Sequence, residues 1–208
     1  MQSNGYRAVL WDMDGVLTDT GEFHFQTWVM ALNGTGIAIN RELFTPLFGM
    51  NNTRTLENLT HGPVEPALVQ QIGDEKERLW REAIRGNIQL LPGVGRLLAD
   101  FKRLGFRQAV ASSAPPENIE AVIHSLQIGE FFDALVSGSD IGGKPDPAIF
   151  LTAAERLGVA PQNCLVFEDS IAGVEAAREP VHRSQDYLSS IQHLLRGIQV
   201  PVIIKDLG

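Results

Sequence analysis

The sequence is poor in the features that secreted, membrane and nucleic-acid-binding proteins need. Its 208 residues include one cysteine, Cys164, which cannot form an internal disulfide and fits a reducing compartment. No uninterrupted apolar run reaches the roughly 18 residues of a membrane-spanning helix. Basic residues are few, since 17 lysines and arginines stand against 25 acidic residues and give a net charge of −8. We therefore expect neither nucleic acid nor an anionic membrane as a partner, because both bind basic surfaces.

Residues 1–15 also lack the basic head and following apolar stretch of a secretory signal. The composition, 44% hydrophobic and 20% charged, is that of a folded globular chain rather than a disordered one. We therefore expect a cytoplasmic protein. Its oligomeric state is left open by the sequence.

Strand-like and helix-like segments alternate along most of the chain. Short buried segments rich in Val, Leu, Phe and Ala predict strands at 6–11, 106–111, 134–136 and 164–167. Helical spacing of apolar residues predicts helices at 93–104, 118–126 and 148–157. This alternation predicts an α/β fold in which helices cover both faces of a parallel sheet.

Residues 19–91 interrupt the alternation, because they have the pattern of helices alone. Helical spacing recurs at 23–32, 42–48, 53–59 and 67–84, separated by glycine and proline. We predict that 19–91 form a helical cap domain, inserted into a discontinuous core made of 1–18 and 92–208.

The segment after the first predicted strand carries two acids one residue apart, Asp12 and Asp14, followed by Gly15. In an open α/β sheet, ligands bind at the carboxyl ends of the strands. A tight turn there can aim both carboxylates at one point, so that one acts as a nucleophile and the other transfers protons. An ordinary Asp-Gly turn is the alternative interpretation.

Two later segments suit phosphate binding. Ser112 follows the second predicted strand and precedes a helix, where hydroxyls and free amides can hold a phosphate. Lys144, in the loop before the helix at 148–157, can offer a positive charge to the same group. Taken singly, each also fits a structural role, as a helix cap and as a solvated surface lysine.

The fourth predicted strand ends in adjacent acids, Glu168 and Asp169, which suit a hard cation such as Mg²⁺ or the start of a helix. The four segments follow predicted strands, so their acids converge on one crevice and repel one another. A divalent cation would relieve that repulsion, and a bound phosphate would need both this cation and Lys144. Together the segments predict a phosphoryl-transfer site.

In this order the four segments resemble the four motifs of the haloacid dehalogenase superfamily of phosphotransferases, from about Tyr6 to Arg178. The inserted helices resemble that superfamily's type-1 α-helical cap. Residues 18–28 are similar to its β-phosphoglucomutase-like branch. The resemblance implies a Rossmann-like core.

The resemblance also implies a role for each motif residue. Asp12 would attack phosphorus and form an aspartyl phosphate, and Asp14 would act as general acid and then as general base. Ser112 and Lys144 would bind the transferring phosphoryl group.

A Mg²⁺ cofactor is implied in the same way. The metal ion would be held by a carboxylate oxygen of Asp12, the backbone carbonyl of Asp14 and the side chain of Asp169. Glu168 would join directly or through water.

The cap would set substrate choice. His24 and Trp28 are four residues apart on one helix face, and mutases of this branch carry a matching pair. Lys76 falls where those mutases have a substrate-contacting lysine. A packed core pair and a solvated helix lysine are the alternative interpretations. Asn52 departs from the pattern, because it stands about where the mutases carry an arginine that clamps a second phosphate.

We therefore expect a Mg²⁺-dependent phosphatase acting on a small phosphorylated metabolite, with sugar phosphates as the favoured class. The alternative is a β-phosphoglucomutase-like sugar-phosphate mutase, which must hold two phosphates and is weakened by the missing arginine. A non-catalytic binding protein on the same fold is disfavoured, because the whole set of motif residues is present. After Arg178 the sequence departs from the family pattern, and one expected core strand is missing or disguised.

Overall fold

A computed structural model describes residues 7–139 and 141–178, within which four parallel strands form one sheet. The strands are β1 (Ala8–Trp11), β2 (Arg107–Ser112), β3 (Ala134–Ser137) and β4 (Cys164–Phe167). Their order across the sheet is β3-β2-β1-β4. Trp11, the last residue of β1, lies opposite Val110 of β2 and Phe167 of β4, so the carboxyl ends of these strands share one edge.

The described α-helices number eight. They are α1 (Gly21–Ala31), α2 (Arg41–Phe44), α3 (Asn52–Thr60), α4 (Pro66–Ile84), α5 (Val94–Arg103), α6 (Pro116–Leu126), α7 (Ala148–Leu157) and α8 (Ile171–Arg178). Short 3₁₀ helices occupy Thr45–Leu47, Gly129–Phe131 and Pro161–Asn163.

Helices cover both faces of the sheet, because alternate residues of β1 point to opposite sides. Val9 and Trp11 pack with apolar residues of α5 and α6. Ala8 and Leu10 pack with residues of α7 and α8. The predicted α/β fold, a parallel sheet between two helical layers, is confirmed.

Aromatic packing fills the centre of the first layer. The Trp11 and Phe167 rings stack with their centroids 4.3 Å apart, and Phe101 meets both rings edge-on at 6.0 Å. The Trp11 indole N–H donates a hydrogen bond to Gln108 Oε1 at 3.1 Å. Trp11 is thus held in place directly before Asp12.

Replacing Phe101 should reveal how much of the stability resides in this layer. Phe101 is fully buried, so Phe101→Ala should lower the free energy of unfolding by about 3–5 kcal/mol. Leu104, one turn later, is 50% exposed, and Leu104→Ala should change it by less than about 0.5 kcal/mol. Urea unfolding followed by far-UV circular dichroism measures both, and equal losses would contradict this placement of the core.

The helices α1 to α4 lie between β1 and α5 in the chain and share an apolar cluster that includes Trp28, Phe44 and Leu56. The segments that enter and leave this helical region run side by side. Leu91 N–H donates to Leu17 O at 2.9 Å, and the Thr18 hydroxyl donates to Gln89 O at 2.8 Å.

The end of α4 does not belong to that cluster. Trp80 and Ile84 are fully buried in the core cluster with Trp11 and Leu97. The division into a cap of 19–91 and a core of 1–18 and 92–208 therefore stays a prediction.

Some predicted boundaries are wrong. The predicted helix at 42–48 is split, because Pro46 has no N–H for a bond to the Glu42 carbonyl. α2 ends at Phe44 and a 3₁₀ helix follows. The strand predicted at 106–111 lies one residue later, at Arg107–Ser112, and β1 begins at Ala8.

The departure from the family pattern after Arg178 lies outside the described residues. In the described part of the chain, no helix combines the length and apolar character that crossing a membrane requires.

Candidate active site

The shared edge of β1, β2 and β4 brings the predicted motif residues together. Asp12 directly follows β1, and Ser112 is the last residue of β2. Glu168 and Asp169 directly follow β4, and Lys144 comes from the loop between β3 and α7. All of them line one cavity of about 300 Å³, to which α1, α3 and α4 contribute further walls.

We call the part of the cavity formed by Asp12, Lys144 and Glu168 the cavity floor, and Lys144 supplies the positive charge there. Its Nζ donates hydrogen bonds to Asp12 Oδ1 and, at 2.6 Å, to Glu168 Oε2. Burial opposes its charge, but the two carboxylates raise the pKa of Lys144 above its usual value. Burial and the charge of Glu168 raise the pKa of Asp12. The solvated-lysine interpretation of Lys144 is wrong, because the side chain is buried.

Three of the predicted metal ligands converge. Asp12, Glu168 and Asp169 each present an oxygen, and these oxygens lie within 4.8 Å of one another. Burial, followed by the charge of Glu168, raises the pKa of Asp169 to about 6. Such a set of oxygens, with charges that repel one another, fits a hard divalent cation such as Mg²⁺.

The Asp14 carboxylate is held apart from that group. The Thr20 hydroxyl donates to its Oδ1, and His24 Nε2 lies 3.5 Å from the same oxygen. Burial opposes ionisation, but the contacts with His24 and Thr20 lower the pKa of Asp14. The predicted metal contact of Asp14 through its backbone carbonyl stays a prediction.

Thr20 is a residue that the sequence analysis missed. It stands directly before α1, where a threonine hydroxyl normally caps the helix, yet it makes no such bond. Its hydroxyl is turned to Asp14 instead. The signal was its place at the end of the motif, six residues after Asp14.

The predicted cap residues also line the cavity. Lys76 Nζ lies 2.9 Å from His24 Nδ1 and 5.6 Å from the centre of the Trp28 ring. His24 stacks on Trp80 with ring centroids 4.8 Å apart, and burial followed by the charge of Lys76 lowers the pKa of His24. Lys76 is buried, so its interpretation as a solvated helix lysine is wrong.

Asn52 stands at the start of α3 and also faces the cavity. A Cβ added at Gly73 would lie 3.0 Å from Asn52 Nδ2, so the small residue lets α3 and α4 approach closely here. The structure thus places an uncharged amide at this point of the cavity wall.

A buried polar pair next to Lys76 was not predicted. Glu77 Oε1 accepts a hydrogen bond from Lys76 at 2.9 Å, and its Oε2 accepts one from Asn118 Nδ2. Arg81 donates to Asn118 Oδ1 at 2.8 Å. These bonds join α4 to the first turn of α6. Helical periodicity alone gave no signal for them, because Glu77 is charged and yet buried.

The model of the haloacid dehalogenase-like hydrolases matches residues 6–179. The chain therefore belongs to this family of enzymes, and the resemblance inferred from the four motifs is confirmed.

The relatives include a β-phosphoglucomutase, the enzyme for which the branch indicated by residues 18–28 is named. The chain is 36% identical over 180 residues to β-phosphoglucomutase of Bacillus subtilis, covering 83% of this chain and 79% of that protein. It is 33% identical over 176 residues to a phosphorylated carbohydrates phosphatase of Thermotoga maritima, covering 82% and 80%.

Among solved structures, a mutant of CbbY from Rhodobacter sphaeroides in complex with xylulose-(1,5)bisphosphate superposes with a TM-score of 0.77. The identity is 27%, and the match covers 85% of this chain and 84% of that one. These relatives support the general assignment of the protein as a sugar phosphatase or a phosphomutase-like enzyme.

Proposed function

We propose that the protein is a Mg²⁺-dependent phosphatase that hydrolyses a small phosphorylated metabolite, with sugar phosphates as the favoured class. The observation that carries the proposal is the cavity floor, where Asp12, Lys144 and Glu168 are joined by hydrogen bonds beside Asp14. A cavity of about 300 Å³ suits a small metabolite rather than a macromolecule. The carbohydrate phosphatase of Thermotoga maritima supports the substrate class.

In the first step, a carboxylate oxygen of Asp12 attacks phosphorus, and the bond between phosphorus and the leaving oxygen breaks. Asp14 in its protonated form gives its proton to that oxygen, so the product leaves as an alcohol. Lys144 and the Ser112 hydroxyl hold the oxygens of the transferring group. The result is an aspartyl phosphate on Asp12.

In the second step, water attacks the phosphorus of the aspartyl phosphate and Asp14 removes its proton. The acyl-phosphate bond breaks, which restores the Asp12 carboxylate and releases inorganic phosphate. The contacts of Asp14 with Thr20 and His24 favour its ionised form, which this step requires.

Asp12, Glu168 and Asp169, with the backbone carbonyl of Asp14, would hold the Mg²⁺. The bound ion supplies positive charge that lets an anionic phosphate enter among these carboxylates. The site fits a divalent cation, because Asp12, Glu168 and Asp169 present oxygens that converge on one point.

The second candidate is a β-phosphoglucomutase-like mutase. The Bacillus subtilis relative favours it, as do His24, Trp28 and Lys76 at the cavity wall. A mutase must grip a second phosphate, however. Among the described residues that line the cavity, the only lysines are Lys76 and Lys144, and none is an arginine.

A screen of phosphorylated metabolites tests the proposal. Inorganic phosphate release should be seen with Mg²⁺ and should be lost when the metal is chelated. A parallel coupled assay follows positional transfer of phosphate on a hexose phosphate, with and without a sugar bisphosphate. Isomerisation stimulated by the bisphosphate would favour the mutase, whereas no turnover of any kind would favour a binding protein.

Gly15 should be indispensable for the site. Its φ is +85°, and a Cβ there would lie 2.0 Å from Asp169 Oδ2, so Gly15→Ala should displace that carboxylate. We expect a loss of phosphate release of about 100-fold, on the scale of a misplaced catalytic group.

Gly34→Ala is the matched control for Gly15→Ala. Gly34 has a similar φ of +81°, but a Cβ there meets nothing within 4 Å. Both variants should lose about 1–2 kcal/mol of stability through backbone strain, while only Gly15→Ala loses activity. Equal rates for the two variants would show that Gly15 does not shape the site.

A further inference from the structure

Glu77 is a charged residue of α4 that neither the sequence motifs nor the proposed mechanism uses. It is only 6% exposed, although it carries a carboxylate. Burial opposes its ionisation, but the neighbouring charge of Lys76 keeps the pKa of Glu77 below its usual value. A buried, ionised carboxylate is costly unless it is paired, so Glu77 and Lys76 form a mutually dependent ion pair.

This ion pair determines how much positive charge Lys76 presents to the cavity, which both residues line. Lys76 Nζ lies 2.9 Å from Glu77 Oε1, so the two opposite charges cancel at short range. The carboxylate cannot turn away, because its second oxygen accepts a hydrogen bond from Asn118.

Besides the exposed carboxylate of Asp74, the rest of the wall offers uncharged polar groups. Thr55 Oγ1 and Ser113 Oγ are buried and have no hydrogen-bond partner among the described residues, and both line the cavity. They stand on different elements, Thr55 on α3 and Ser113 directly after β2. A ligand hydroxyl could satisfy each of them, since a buried polar atom without a partner is costly.

We propose that Glu77 is a specificity-determining residue that neutralises Lys76 and thereby disfavours substrates with a second anionic group. The inference rests on the proposed phosphatase function. Glu77 acts on the substrate only through Lys76, so it is a positioning residue that does not touch the reacting atoms. The expected result is a preference for phosphomonoesters whose leaving group is uncharged and rich in hydroxyls.

Two pairs of substrates, matched in carbon skeleton, test the inference. Glucose 6-phosphate and glycerol 3-phosphate have uncharged leaving groups, whereas 6-phosphogluconate and 3-phosphoglycerate add a carboxylate. The readout is the ratio of kcat/KM for the uncharged member to kcat/KM for the carboxylate member. This ratio cancels any general loss of activity that a substitution causes by disturbing the fold or the chemistry.

The variants form a charge series. Glu77→Gln releases the charge of Lys76 and should lower the ratio by about tenfold, the size of one nearby charge at intermediate dielectric. Lys76→Gln leaves Glu77 alone and should raise the ratio above the wild-type value. The double variant Lys76→Gln/Glu77→Gln has no charge at either position and should return the ratio towards wild type.

Glu75→Gln is the matched control, because Glu75 lies on the same helix but is exposed and paired with Arg78. It should leave the ratio unchanged. If Glu77→Gln does not fold, Lys76→Gln and the double variant still distinguish charge neutralisation by Glu77 from a purely structural role. A purely structural role predicts that the ratio stays at the wild-type value in every variant, because a general loss of activity cancels in it.

Failure of the proposed function and failure of the inference about Glu77 give different results. Wild-type protein that turns over none of the four compounds, and no other phosphomonoester, overturns the proposed function and the inference with it. Wild-type turnover with a ratio that stays the same across the charge series overturns the inference alone.

Discussion

Asp12→Asn is expected to reduce phosphate release by about four to six orders of magnitude. The amide nitrogen and oxygen cannot form the aspartyl phosphate, and losing a nucleophile in other enzymes costs about this much. The fold should persist, because Asn has the same shape and an uncharged group is less costly at this buried position. Initial rates with the best substrate and a thermal melt measure the two effects separately.

Asp19→Asn is the control for that substitution. Asp19 belongs to the same loop, but it is exposed, and its carboxylate accepts only a bond from the Gly21 N–H at 3.2 Å among those described. It should retain wild-type activity. Asp12→Asn protein that hydrolyses substrate at the wild-type rate would refute the assignment of Asp12 as nucleophile.

Lys144→Met should both inactivate and destabilise the protein. It leaves Asp12 and Glu168 buried and facing each other without the cation that both contact. Removing one partner of a buried ion pair typically costs about 3–5 kcal/mol. We expect a loss of this size in urea unfolding without metal, and a larger stabilisation by Mg²⁺ than wild type shows, since the added cation offsets the repulsion.

Lys102→Met is the matched control. Lys102 is an exposed lysine paired with Glu130, so its loss should change the free energy of unfolding by less than about 1 kcal/mol. A Lys144→Met protein as stable as Lys102→Met, with no greater response to Mg²⁺, would show that Lys144 does not balance the buried carboxylates.

Local patterns in the sequence were sufficient to predict the sheet and the floor of the site. Strands such as Cys164–Phe167 are short apolar segments, and parallel strands end at one edge, so Asp12, Ser112 and Glu168 were expected to lie close together. The order of motifs also placed Lys144, although the sequence could not show that it would be buried between two carboxylates.

Some of the contacts that were not predicted join residues far apart in the chain. Glu77 and Asn118 are 41 positions apart, and helical periodicity reports only which residues of one helix are apolar. The split at Pro46 was a local error, because the proline was treated as punctuation between helices rather than inside the predicted one. Thr20 was missed because a hydroxyl before a helix has a commoner role as its cap.

The adjacent entry and exit of the helical segment have a consequence for how such an enzyme can change. Leu17 and Leu91 are hydrogen-bonded neighbours, so the chain enters and leaves the helical segment at one place. Insertions whose two ends lie close together are tolerated well, because the host chain needs no rearrangement to close around them. Helices of another length or sequence could therefore be exchanged at this junction while the strand ends keep their register. The burial of Trp80 and Ile84 in the core cluster marks the part of α4 that any replacement would have to reproduce.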